Sequence, residues 1–475
     1  MDLPVNLQTP AEIDRLAEDG LPVPRRYWSA AGIWLALAMA VLDGAIANVA
    51  LPVIAHQLGA SPASSVWVIN AYQLTITVLL LPLAALGDRI GYKCIYIPGL
   101  ALFTLGSVGC AAGGTLTLLI AARVFQGIGA ACIMSMNAAL VRATYPAKML
   151  GRGIGYNAMV LSVSAAVGPT LAALILSVAS WQWLFLINLP IGIAAIVVGR
   201  KSLPEPQGHG RPFDWASALL SAAMMGFIVF GAEAYAREGG ELALAMVAAG
   251  IASGVALVWR ERGEATPLMP LDLLRIPVFT LSITTSVVSF AAQMLAYVAI
   301  PFLFQSVLGR TVFATGLLMT PWPLAVGVAA PIAGRLADRV NAGLLGGIGL
   351  AIFAAGLFFL SRLGASPGNF DIAWRMALCG LGFGFFQSPN NRTIVSSAPK
   401  PRSGAAGGML ATARLLGQTT GAVAVGVAFH LAGVHVTPKL LFIASIAALV
   451  AAGISLLRLN VAPPGRVAVY KPILD

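Results

Sequence analysis

The sequence predicts an all-α integral membrane protein. Of its 475 residues, 58% are hydrophobic and only 10% are charged, whereas soluble domains have roughly 45–50% apolar and about 25% charged residues. The apolar residues form runs close to the roughly 20 residues that a membrane-spanning helix needs. This composition excludes an ordinary soluble enzyme, a disordered chain, collagen and a disulfide scaffold.

Fourteen apolar runs of spanning length follow one another along the chain. They lie near residues 30–55, 66–86, 94–112, 115–141, 153–178, 181–199, 215–235, 241–259, 277–305, 312–333, 342–361, 372–395, 404–430 and 438–457. Each run is predicted to be one transmembrane helix, because a helix satisfies all of its backbone hydrogen bonds within lipid.

The basic residues predict the orientation of these helices. With the N-terminus placed in the cytoplasm, 22 of the 29 Lys and Arg fall on the cytoplasmic side, five fall outside, and Arg123 and Arg414 fall within spans. Positively charged residues favour the cytoplasmic side. We therefore expect a multi-pass protein of the inner (cytoplasmic) membrane with both termini in the cytoplasm. The net charge of +11 then reflects topology, and no nucleic-acid partner is expected.

Other kinds of chemistry find no support in the sequence. The four cysteines are scattered singly, so no disulfide framework or metal site is predicted. There is no GxxxxGK[ST] phosphate loop, which argues against direct ATP hydrolysis. We expect no enzyme activity and no cofactor, and the energy would come from an ion gradient or from the substrate's own gradient.

The two halves of the chain share a repeated pattern. Asp88-Arg89 after span two recurs as Asp338-Arg339 after span ten, at an offset of 250 residues. The Gly-x-Gly pair of span four recurs in span twelve at an offset of 253. A duplicated six-helix unit with two helices inserted accounts for fourteen spans. The predicted segments are an N-terminal segment 1–29, a first bundle 30–200, a linker and insert 201–276, a second bundle 277–457 and a tail 458–475.

Several motifs resemble those of the major facilitator superfamily. The stretch 84–93 (AALGDRIGYK) resembles its loop signature, 123–131 (RVFQGIGAA) resembles its fourth-helix signature, and Gly168-Pro169 lies where its antiporter signature falls. Segments 42–52 and 181–192 resemble the fourteen-span drug:proton antiporters of that superfamily. The resemblance implies two six-helix bundles plus a two-helix insert. Ala84 and Tyr92 depart from the loop pattern, which has Gly and a basic residue there.

Two ionisable residues inside spans are the candidates for proton coupling. A charge at the bilayer centre costs about 2.5–3.5 kcal/mol, so it is retained where it has a role or a partner. Asp43 lies in span one and Arg123 in span four, and we predict that Asp43 carries the proton while Arg123 tunes its charge. The alternative is a buried structural ion pair. Glu233, near the outer end of span seven, is predicted to be an exposed acid without that role.

Further residues are assigned to conformational control and packing. The loop charges are predicted to form a conformational latch, or else solvated charge pairs: Asp88, Arg89, Lys93, Asp338 and Arg339. Gly127 and Gly129 are predicted to permit close helix contact, and Gly168-Pro169 either to pack or to kink a helix. Polar residues that line a cavity, or else join helices, are Asn48, Asn70, Gln73, Asn137, Gln293, Asn390 and Arg414.

The resemblance implies proton-coupled export of cationic or lipophilic drug-like compounds by alternating access. The expected partners are small-molecule substrates, protons and the lipid bilayer, and the expected state is a monomer. An exporter of one endogenous metabolite is the first alternative. A membrane sensor or scaffold that does not transport is the second, and the lack of a large soluble domain counts against it.

Overall fold

The computed structural model describes residues 20–146, 149–204, 214–238, 240–261, 271–337, 339–398 and 403–461. Within these ranges the chain is almost entirely helical. In chain order the α-helices are α1 Arg25–Gln57, α2 Pro62–Ser65, α3 Trp67–Ile90, α4 Tyr92–Ala112, α5 Leu116–Thr144, α6 Leu150–Val178, α7 Trp183–Leu186, α8 Asn188–Ser202, α9 Trp215–Glu238, α10 Glu241–Arg260, α11 Pro277–Phe302, α12 Val312–Met319, α13 Pro321–Leu336, α14 Ala342–Ser361, α15 Asn369–Ser397, α16 Ser403–Ala432 and α17 Thr437–Leu457.

The predicted all-α membrane fold is confirmed. In the part of the chain that the structure describes, twelve helical segments are long and apolar enough to cross a membrane. Two predicted spans fall outside this group. In α9, the residues with described side chains include an apolar stretch, Trp215–Gly231, that is shorter than a membrane span. Helix α15 is more polar, because it carries Asp371, Arg375 and a polar run from Gln387 to Arg392.

Side-chain caps and one glycine fix several helix boundaries. Thr115 and Thr311 each accept a hydrogen bond from the backbone amide three residues later, at 3.3 Å and 3.2 Å, and Asn341 caps α14 in a similar way. Gly91 joins α3 to α4 at φ +96°, a conformation that favours glycine. The loop signature therefore spans the junction of these two helices.

The sequence repeat is also a repeat in packing. A Cβ atom added at Gly129 would lie 2.3 Å from the backbone nitrogen of Phe103, and one added at Gly382 would lie 2.3 Å from that of Phe353. The two glycines are 253 residues apart and the two phenylalanines 250. The α4–α5 contact of the first bundle therefore recurs as the α14–α15 contact of the second.

The other small residues of the predicted packing motif also lie at close helix contacts. A Cβ at Gly127 would meet the Thr75 side chain of α3 at 2.9 Å, and one at Gly168 would meet the Cβ of Ala45 at 2.5 Å. Pro169 lies inside α6, where its carbonyl oxygen faces the first turns of α12. Backbones approach this closely only where side chains are small.

The two helices of the insert, α9 and α10, pair with each other. Arg260 at the end of α10 forms an ion pair with Asp214, at 3.0 Å, just before α9 begins. Hydrogen bonds from this guanidinium hold the pKa of the Asp214 carboxyl well below its usual range. Phe230 stacks on Trp67 with ring centroids 5.7 Å apart, which attaches the insert to α3. The side chain of Glu233 lies outside the described residues.

Candidate functional site

A cavity of ≈ 180 Å³ lies between the two bundles. Helices α1, α3, α5 and α6 form one wall, and α11, α13, α15 and α16 form the other. Aromatic rings and side-chain amides face it, together with two arginines: Tyr72, Phe290, Tyr297, Trp322, Phe383, Asn48, Gln73, Gln293, Gln387, Gln418, Arg123 and Arg414. An apolar cavity with a few convergent polar groups is the usual form of a small-molecule site.

Asp43 and Arg123, the pair proposed from the sequence, are in direct contact. Arg123 Nη1 donates a hydrogen bond to Asp43 Oδ2. The other carboxylate oxygen, Oδ1, accepts from Gln126 Nε2 at 2.9 Å and from Asn188 Nδ2 at 2.8 Å. Asp43 is 2% exposed and Arg123 is fully buried. The two oxygens of this carboxylate therefore have different partners, a cation on one and two neutral amides on the other.

Arg123 is held by neutral partners as well as by the carboxylate. Its Nε donates to the carbonyl of Val68 at 2.9 Å, and Nη1 donates to Gln126 Oε1 at 2.7 Å. The guanidinium carbon lies 4.0 Å from the ring centroid of Tyr72, a cation–π contact. Arg123 forms part of the cavity wall and Asp43 lies behind it. The arginine can therefore stay in place if the carboxylate loses its charge.

The roles of Gln126 and Asn188 were not predicted. Both amides also donate to Ser107 Oγ, at 2.8 Å and 3.2 Å, so the serine fixes their orientation. Gln126 lies three residues after Arg123 on α5, a spacing that puts both side chains on one helix face. That spacing was a usable signal. Asn188 begins α8 after a break in span six, and no sequence spacing connects it with Asp43.

Four of the seven polar residues predicted to line a cavity do so: Asn48, Gln73, Gln293 and Arg414. Asn70, Asn137 and Asn390 are buried and do not line it, which leaves them the alternative role of joining helices. Asn390 accepts from Arg458 Nη1 at 2.8 Å and donates to Ser286 Oγ at 2.8 Å. These bonds join α15 to α11 and to the end of α17, which is a helix-joining role.

The loop charges between α3 and α4 lie at the surface. Asp88 and Arg89 are exposed and Lys93 is half-buried. The hydroxyl of Tyr92 donates a 2.8 Å hydrogen bond to Asp88 Oδ1. Tyr92, which stands where the family pattern has a basic residue, thus forms a hydrogen bond with Asp88 of the same motif. In the second repeat Arg339 is exposed, and Asp338 lies outside the described residues.

Contacts between the bundles differ at the two ends of the cavity. Near the face opposite the start of α1, Gln305 Nε2 donates to the carbonyl of Val49 at 3.0 Å, and the hydroxyls of Thr170 and Thr320 lie 2.5 Å apart. Towards the face where α1 starts, a Cβ added at Gly155 or Gly407 would have no neighbour within 4 Å. Half-way between the two faces, the hydroxyls of Thr77 and Thr419 lie 3.2 Å apart, and Leu415 of α16 packs with the core of the first bundle. Among the described residues, the hydrogen bonds between the bundles therefore lie at the face opposite the start of α1 and in the middle.

Two duplicated helical bundles around a cavity lined by aromatic rings, amides and two arginines are an arrangement suited to a membrane transporter. The chain belongs to the major facilitator superfamily, whose family model matches residues 33–422 and 282–470. It is a multi-pass membrane protein and a transporter of small-molecule substrates.

Similar proteins include transporters with and without an assigned substrate. The uncharacterized transporter YebQ of Escherichia coli (strain K12) is 52% identical over 94% of this chain and 98% of its own length. The riboflavin transporter RibZ of Clostridioides difficile (strain 630) is 31% identical over 84% and 86%. The multidrug resistance protein Stp of Mycobacterium tuberculosis (strain CDC 1551 / Oshkosh) is 32% identical over 82% and 74%.

A solved structure shares the fold. The crystal structure of a POT family transporter in complex with a thioalcohol-conjugated peptide superposes with a TM-score of 0.70, covering 91% of this chain and 96% of that chain. Sequence identity is 16%, so the likeness concerns the fold alone.

Proposed function

We propose that this transporter exports lipophilic, drug-like small molecules from the cytoplasm in exchange for protons, by alternating access. The observation that carries the proposal is Asp43. Among the described side chains, only Asp43 and Glu261 are buried acids, and Glu261 follows the last helix of the insert. A buried carboxylate behind a cavity-wall arginine is suited to bind and release a proton. The similarity to multidrug resistance proteins supports export.

We assign the coupling proton to one atom, Oδ2 of Asp43. Protonation there breaks only the contact with Arg123, whereas Oδ1 keeps both of its amide donors. The proton and the guanidinium of Arg123 therefore compete for the same oxygen. Each proton that moves inward contributes about 2.3 kcal/mol per 100 mV of membrane potential.

We place both termini in the cytoplasm of a cell whose inner membrane holds the protein, with α9 and α15 completing fourteen spans. The positive-inside distribution supports this orientation. The ends of the bundles that are joined by the Gln305–Val49 and Thr170–Thr320 hydrogen bonds then face outwards. This arrangement supports an inward-facing state, in which the cavity receives substrate from the cytoplasm.

The cavity wall bears on which compounds are exported. No described carboxylate lines the cavity, so the expectation of lipophilic substrates fits better than that of cationic ones. Its volume of ≈ 180 Å³ is below the roughly 300–1,000 Å³ of typical ligand sites. This small size favours a second candidate function, the export of one endogenous metabolite with the same coupling.

Purified protein in liposomes tests the proposal. A panel of lipophilic dyes and metabolites is presented at the cytoplasmic face under an imposed pH gradient. We expect accumulation of at least one compound against its gradient, and loss of that accumulation when a protonophore is added. If transport persists unchanged with the protonophore, the protein is not proton-coupled. If no compound moves, the sensor or scaffold alternative is favoured.

Substitution of Asp88 by Asn is expected to slow transport and leave substrate affinity nearly unchanged. The residue lies in a surface loop, too shallow for a ligand of the cavity, and as a latch it would set the balance between the two states. Tyr92→Phe removes the 2.8 Å hydrogen bond and should slow transport by a smaller factor. Transport rates in liposomes and equilibrium binding in detergent separate the two effects. A collapse of binding at an unchanged turnover would contradict the latch assignment.

A further inference from the structure

Arg414 is a charged side chain on the cavity wall without a counter-ion. It lies 11 residues after the first residue of α16, about 16 Å along the helix at 1.5 Å per residue. Within the described residues its guanidinium forms neither a hydrogen bond nor an ion pair, and its contact is the ring of Phe290, 5.5 Å from the guanidinium carbon. An intramembrane charge without a partner marks a functional site.

The rest of the cavity supplies no negative charge to balance it. The other arginine of the wall, Arg123, is already neutralised by Asp43. The remaining polar groups that line the cavity are neutral amides and phenol or indole groups. The cavity therefore carries one uncompensated positive charge beside apolar and aromatic surface. That combination complements an anion attached to an aromatic or lipophilic body.

We propose that Arg414 is the binding residue for an oxyanion of the transported substrate, so that the exporter's substrates are small aromatic or lipophilic organic acids. The proposal rests on the export function proposed above and names its substrate class. A guanidinium presents paired N–H donors that match the two oxygens of a carboxylate. Phe290, Tyr297 and Trp322, from α11 and α13, supply rings for the apolar body. Gln418 is one helical turn after Arg414 and offers a further donor beside it.

Three probes with one skeleton test the inference: 2-naphthoate, 2-naphthamide and 2-naphthamidine, which are anionic, neutral and cationic. Binding to the purified full-length protein in detergent is measured by calorimetry. The wild type should bind the naphthoate most tightly. Arg414→Gln should weaken naphthoate binding at least tenfold and change naphthamide binding by less than twofold, while Arg414→Lys should keep part of the preference.

Arg362 provides a matched control. It also lies over a ring, 5.4 Å from the centroid of Phe358, but it is exposed at the end of α14 and does not line the cavity. Arg362→Gln should bind all three probes as the wild type does. Equal loss of naphthoate binding in both variants, no naphthoate binding by the wild type, or a preference for the amidine would overturn the inference.

The failure of this inference can be told apart from failure of the export proposal. Export of a neutral compound driven by the pH gradient, with no charge preference in binding, would leave the export proposal intact and overturn the anion site. If the protein prefers naphthoate, and this preference depends on Arg414, but it moves no compound under the gradient, the anion site stands and the export proposal is overturned.

Discussion

Asp43→Asn will abolish uphill export. Asparagine has the same shape, so Gln126 and Asn188 can still donate to its side-chain oxygen, but it cannot exchange a proton and it leaves Arg123 without a counter-ion. Accumulation of the best compound of the liposome panel should fall to the level of protein-free liposomes. Substrate-induced proton release from detergent-purified protein should disappear, whereas Asp43→Glu should retain part of both activities.

The control for this prediction is a carboxylate of another ion pair. Asp371 pairs with Arg375 at 2.8 Å near the start of α15 and is only half-buried. Asp371→Asn should therefore release protons as the wild type does. Removing one partner of a buried pair costs about 3–5 kcal/mol of stability, so the folded fraction of Asp43→Asn is checked by size-exclusion chromatography. Equal proton release from wild type and Asp43→Asn would place the coupling proton elsewhere.

The fold could be predicted because its signals are local. A run of about 20 apolar residues defines a helix in lipid whatever its neighbours are, and repeated motifs such as Asp88-Arg89 and Asp338-Arg339 indicate a duplication. The apolar signal is weakest at α15, because polar residues, among them Asn390, which joins it to other helices, lower its hydropathy. The sequence could not show what those residues contact, since Asn390 and Arg458 are 68 positions apart.

The candidate site was predictable only in part for the same reason. The rarity of intramembrane charge was sufficient to select Asp43 and Arg123, which are 80 positions apart. It could not show which polar neighbour faces the cavity and which faces another helix. A shift of one position along the sequence turns a side chain by about 100° around the helix axis. Asn48 lines the cavity, whereas Asn70 does not. The third intramembrane feature, the unpaired charge of Arg414, required the positions of all surrounding helices.

Gly380→Ala should prevent correct assembly of the second bundle. A Cβ atom at this position would lie 2.0 Å from the carbonyl oxygen of Trp322 and 2.8 Å from the Cβ of Ala325. A backbone oxygen cannot rotate away as a side chain can, so α13 and α15 must separate. Overpacking of this kind costs about 3 kcal/mol. The variant should lose its monodisperse elution and most of its thermal stability in detergent.

Gly407→Ala is the matched test, because a Cβ there has open space within 4 Å and alanine is the better helix former by about 1 kcal/mol. Gly127→Ala is expected to be intermediate, since its Cβ would lie 2.9 Å from the Cβ of Thr75 and 3.1 Å from the carbonyl oxygen of Tyr72, a smaller overlap than at Gly380. The melting temperature should therefore be highest for Gly407→Ala, lower for Gly127→Ala and lowest for Gly380→Ala. A Gly380→Ala variant as stable as Gly407→Ala would show that α13 and α15 do not pack this closely in the membrane. Helices α13 and α15, which form part of the cavity wall, would then lie further apart.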